Sequence, residues 1–150
     1  MGVTNNEHEK QIMDYFYNKS NINIIINRNI NWCDEDSIYN IISQFDVGIS
    51  PLLPTEVNNS KSAFKLKQYM SCGVPVLASD TGENKNFLIE NANGFICNSV
   101  EDYYDKIIFF KNINKLDYDK FISCSLNSLN HFDIKLYSDA MLNYYEKNFA

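Results

Sequence analysis

Two short, unbroken apolar runs constrain this chain more than any other feature. Asp46-Val-Gly-Ile-Ser50 is closed off by Pro51 and Pro54, and Pro75-Val-Leu-Ala-Ser79 carries its proline at the first position, where a strand tolerates one. Strands that are apolar along their length are buried on both faces, as in a parallel sheet covered by helices. Between the two runs, residues from about Lys61 to Cys72 are helical, with Leu66, Tyr69 and Met70 in one core-facing sector. Gly73 then stands where a left-handed C-cap is expected. Strands alternating with helices in this way predict an α/β domain with a mainly parallel sheet.

The flanking segments extend the alternation. Residues 6–18 carry Ile12 and Phe16 at helical spacing, and Ile22 to Ile26 is a β-branched run of strand character. Asp34-Glu35-Asp36 opens a helix with Ile38, Ile41, Ile42 and Phe45 on one face, its acidic triplet suiting the positive end of the helix dipole. A loop fills 51–61, and a short helix is expected around Asn86–Glu90. Asn93-Gly94 turns into a strand at Phe95-Ile-Cys97, and Ser99-Val-Glu-Asp102 has the spacing of a capping box. The helix it starts places Tyr104, Ile107 and Ile108 on one face, and helices near 117–129 and 134–148 complete a helical tail.

A chain of 150 residues suffices for one domain, and residues 1–150 are read as a single one. Its net charge of −6 gives no general attraction for nucleic acid or anionic lipid, so an anionic ligand needs a local basic site. No apolar run reaches the roughly 18 residues of a membrane-spanning helix, and the N-terminus lacks the basic and apolar regions of a secretion signal. A cytoplasmic location is expected. Cys33, Cys72, Cys97 and Cys124 form no CxxC pair, which fits reduced, mostly buried thiols better than a metal site. His8 lies between glutamates and reads as a solvated helix residue, and His131 reads as a cap or packing group.

In such sheets ligands bind beyond the carboxyl ends of the strands, here the loops at 51–61 and 80–84. Lys61, Lys65 and Gln68 fall within about 60° of one another on a helix. Lysines at a helix N-terminus oppose the dipole, and a departure from a local rule marks a candidate site. A diphosphate resolves the conflict by accepting free backbone N–H groups and pairing with Lys61 and Lys65, while Gln68 can hydrogen-bond a ribose hydroxyl. Gly82-Glu83-Asn84 in the second loop allows close backbone approach to a ligand.

Asp46-Val-Gly-Ile-Ser-Pro51, the stretch from Lys61 to Ser79, Gly82-Glu-Asn84 and Asn93-Gly-Phe95 together resemble the C-terminal domain of group 1 (family 4) retaining glycosyltransferases of the GT-B fold. The resemblance runs from about Trp32 to Phe95 and implies a Rossmann-like sheet, here a partial one with a helical tail. It implies a nucleotide-diphosphate sugar as substrate, with no further cofactor or metal, and a donor site at Ser60, Lys61, Lys65, Gln68, Gly82, Glu83 and Asn84. Many members have two glutamates at the positions of Ser60 and Gln68, so the motif is altered here. The family's first strands and its acceptor domain are not matched. An acceptor-binding domain or subunit is therefore an expected partner, and the 22–27 strand is expected to present an exposed sheet edge open to self-association.

The resemblance implies the nucleotide-sugar-binding portion of an enzyme that transfers a hexose-type sugar to a glycan or lipid-linked acceptor, inactive alone and membrane-peripheral when complete. Two alternatives stay open: a donor-binding subunit of a split glycosyltransferase, and a noncatalytic interaction module that kept the fold. No residue of the chain is assigned a catalytic role. The aromatic tail, including Tyr103, Tyr104, Phe109, Phe110, Tyr144, Tyr145 and Phe149, reads as helix packing with some rings left exposed.

Overall fold

A computed structural model describes residues 6–16, 23–31, 33–130 and 134–149. The expectations placed on residues 17–18, Ile22, Trp32, His131 and the side chain of His8 lie outside the described residues. The chain divides into two units, residues 1–34 and 35–150.

In the first unit, helix α1 (Asn6–Phe16) holds Glu9 at 8% exposure, where its carboxylate accepts a 2.7 Å hydrogen bond from Arg28 Nε. A charge so covered needs a partner of opposite sign, and Arg28 supplies it. The expected strand at 22–26 does not form: residues 23–31 have no regular structure, and Ile25 is 82% exposed. A β-branched run makes an extended backbone favourable, but a strand exists only where a neighbour takes its hydrogen bonds. No described residue does so here.

The second unit has the predicted architecture. Helix α2 (Glu35–Ile42) buries Ile38 and Ile42, and ends before Phe45. Strands β1 (Gly48–Ser50), β2 (Val76–Ala78) and β3 (Gly94–Ile96) form a parallel sheet in the order β1-β2-β3. Between β1 and β2 lie a single turn, α3 (Glu56–Asn59), and the longer α4 (Phe64–Ser71). A second short helix, α5 (Asn84–Phe87), precedes β3. Three longer helices follow: α6 (Val100–Asn112), α7 (Lys115–Asn127) and α8 (Ile134–Phe149). This is a partial Rossmann-like fold.

Leu66, Tyr69 and Met70 of α4 are buried as expected, and β2 is buried throughout. Leu77, Phe95, Cys97, Phe110 and Phe121 form a further core cluster, with Tyr103, Ile113 and Tyr118 packed against it. This cluster fixes the rotation of α6. Phe110 faces the sheet, while Tyr104 and Ile107, expected on a packing face, are 64% and 42% exposed. Phe110 meets Phe95, Phe109 and Phe121 edge-on or nearly so, at ring separations of 5.7, 5.3 and 5.1 Å. Aromatic pairs of this geometry contribute beyond their buried area, which favours Phe110 over the aliphatic face. The capping box exists as read: Ser99 Oγ accepts from Asp102 N, and Asp102 Oδ2 accepts from Ser99 N.

The open sheet edge also lies elsewhere than expected. β1 has no strand on its outer side among the described residues. Gly48 N donates to Pro75 O and Ser79 N to Ser50 O, so alternation turns the backbone groups of Ile49 outward. Of the cysteines, only Cys97 is buried; Cys72 and Cys124 are half-buried and Cys33 is exposed, so the expectation of mostly buried thiols fails.

Candidate functional site

The carboxyl ends of β1 and β2 feed two loops that are clasped together. Leu52 N donates to Ser79 Oγ at 2.9 Å, and Thr81 Oγ1 donates to Leu52 O at 3.3 Å. Asn84, 1% exposed, donates from Nδ2 to Ser79 O at 3.0 Å. Further along, Glu83 N donates to Lys61 O at 3.2 Å. Gly82 makes that approach possible: it has φ +62°, and a Cβ there would stand 2.7 Å from Asn58 O and 2.9 Å from Lys61 O. No side chain fits such a position.

Helix α4 starts later than the sequence suggested. Thr55 caps the turn at 56–59, its Oγ1 accepting from Asn58 N at 3.2 Å. The chain then runs without regular structure to Ala63, which has φ 54° and ψ 31°. A left-handed residue cannot lie inside a right-handed helix, so the helix begins at Phe64. Lys61 therefore sits in the connection ahead of the helix, outside the face expected to join it with Lys65 and Gln68. Lys65 lies in the first turn, which holds no acidic residue, and no side chain caps the helix. The first-turn N–H groups have no acceptor within α4.

These parts enclose a cavity of about 430 Å³. Ser50, Ser60, Lys61, Ser62, Lys65 and Asn84 give it polar walls, and Leu52, Phe64 and Leu66 give it apolar ones. No carboxylate lines it, and no ion pair among the described residues holds either lysine. Ser50 lies in the wall and is 4% exposed. Two ammonium groups, the uncapped amides and several hydroxyls suit an anionic, hydroxyl-bearing ligand.

Four residues chosen from the sequence thus share one cavity: Ser60, Lys61, Lys65 and Asn84. Gly82 and Glu83 shape it through backbone contacts, and the Glu83 carboxylate accepts from Asn86 Nδ2 at 2.6 Å. Gln68 is half-buried and does not line it. Sequence reasoning missed Ser50, Ser62 and Phe64. Ser50 carried a usable signal, since it is the last polar residue of an apolar strand that opens into the site.

A parallel sheet with a cation-lined cavity beyond its strand ends is the arrangement in which α/β domains hold their ligands. A family model described as glycosyl transferases group 1 matches residues 6–110, and the chain belongs to that family. Among solved structures it is similar to a glycosyltransferase from Rickettsia africae ESF-5, with a TM-score of 0.69 and 19% identity. That likeness covers 94% of this chain and 35% of the other, so this chain spans about a third of the length of the structure it matches. Among curated proteins, no sequence matches it.

Proposed function

We propose that this chain is the nucleotide-sugar-binding portion of a retaining glycosyltransferase that transfers a hexose-type sugar to a glycan or lipid-linked acceptor. The observation that carries this reading is the 430 Å³ cavity beyond β1 and β2, with Lys61 and Lys65 and no carboxylate in its wall. In sugar transfer the bond from the anomeric carbon to the diphosphate breaks, and negative charge grows on the departing oxygen. The ammonium groups of Lys61 and Lys65 and the free amides of α4 stabilise that charge. Ser50, Ser60, Ser62 and Asn84 offer hydrogen bonds to hydroxyls of the donor. The chain acts as one donor-binding domain, and transfer calls for an acceptor-binding domain or subunit beside it.

Calorimetric titration with UDP-glucose and GDP-mannose tests the reading. Saturable binding is expected to at least one donor, and Lys61→Ala should weaken it by about 1.5–3 kcal/mol, the worth of a charge-assisted hydrogen bond. Absence of binding to either, or equal affinity in parent and variant, rejects it.

A further inference from the structure

We infer a second ligand site, for a neutral saccharide, at the opposite end of the sheet from the cavity described above. A cavity of about 570 Å³ opens beside the turn that leads into β3, between the end of α6 and the first turns of α7. The strands are parallel and this turn precedes β3, so the cavity belongs to their amino-terminal side. Its volume lies within the range of small-ligand sites.

The wall has an aromatic floor and an amide rim. Phe121 is buried within the core cluster, whereas Phe109 is 41% exposed and lines the cavity. Phe95 and Phe110 hold the Phe109 ring in T-shaped contacts at 5.3 Å each, so it presents a fixed surface. Asn91 stands on the rim at φ 61°; its backbone N–H donates to Gly94 O at 3.2 Å, while its side-chain amide makes no hydrogen bond among the described residues. Asn112 donates from Nδ2 to Ile108 O at 3.0 Å, which leaves its amide oxygen able to accept.

Charge narrows the ligand further. The rim holds one cation and one anion, Lys120 and Asp117, and they are bound to each other at 2.6 Å. The Lys120 ammonium, with the Asn114 amide, holds the Asp117 carboxyl below the usual carboxylate range. The pair is neutral in sum, so the rim favours neither an anionic nor a cationic ligand. Amides that donate and accept, set above an apolar ring, match a pyranose, whose hydroxyls ring a face of C–H groups. The inference stands on this cavity alone and is independent of the donor-site reading.

Amide NMR of the labelled full chain tests it with cellobiose, maltose and chitobiose, each raised to ~50 mM because single weak sites bind in the millimolar range. Shift changes are expected at Asn91, Phe109, Asn112 and Cys124 and absent at Lys61 and Lys65. Asn91→Gly keeps the positive φ while removing the amide, and should weaken binding about fivefold, one neutral hydrogen bond. Phe109→Leu should weaken it up to about tenfold through loss of the ring face, with the spectrum of each variant showing that it is folded. No shifts with any of the three disaccharides, shifts unaltered in both folded variants, or an equal response to uridine would each overturn the assignment.

Discussion

At Gly48 the Tyr69 ring occupies the place a side chain would take, with a ring carbon 2.5 Å from the position of a Cβ. Gly48→Ala should therefore displace Tyr69 and destabilise the chain by about 1–3 kcal/mol, as overpacking does; thermal denaturation measures it. The sequence showed Gly48 inside an apolar strand and could not show what stood over it. Thiol chemistry divides at the same scale. Burial first, then the Asp102 and Glu90 carboxylates, push the Cys97 thiol up to about 11. A thiolate is the reactive form, so at pH of about 8 a disulfide reagent should modify exposed Cys33 rapidly and Cys97 only on unfolding. Equal rates in the native chain would contradict that order. The four cysteines look alike in sequence because nothing local distinguishes a buried one.

Among the elements, α6 has the most explicit start signal. Ser99→Ala removes the acceptor for Asp102 N and should cost about 1 kcal/mol, measured by denaturant unfolding. The reciprocal bonds give a pH dependence. Hydrogen bonds from the Asn98 and Ser99 amides hold the Asp102 carboxyl below its ordinary value. A carboxyl whose folded pKa is lowered stabilises above its unfolded pKa, and that stability is lost as pH falls through the folded one. The gap in stability between parent and Asp102→Asn should thus be largest near neutrality and shrink in acid. A gap independent of pH would count against the capping role. This helix was legible because its signal is local. The start of α4 was not, because the left-handed turn at Ala63 leaves no trace in residue type. The run at 22–26 reads as a strand for the opposite reason: its local preference is strong, and the partner it needs is a tertiary matter.

For the molecule as a whole, burial is uneven. β2 and the inner face of α4 are shut away from solvent, while no residue of α8 is buried and Tyr144, Tyr145 and Phe149 are 60–69% exposed. A helix of 16 residues without packing is marginal in water. Hydrogen exchange should release the α8 amides first and those of β2 last; protection of α8 equal to that of β2 would refute this gradient. No helix among the described residues is long and apolar enough to cross a membrane. Alternation of apolar runs and helical periods made the architecture readable. The cavity was half readable: lysines at an expected helix start stand out against the dipole, whereas the serines beside them gain meaning only when the loops meet. Those loops meet through Leu52, held by Ser79 and Thr81, and through the backbone bond from Glu83 to Lys61. Fastened at two points, the walls form a single frame, so a load placed on one side is shared by the other.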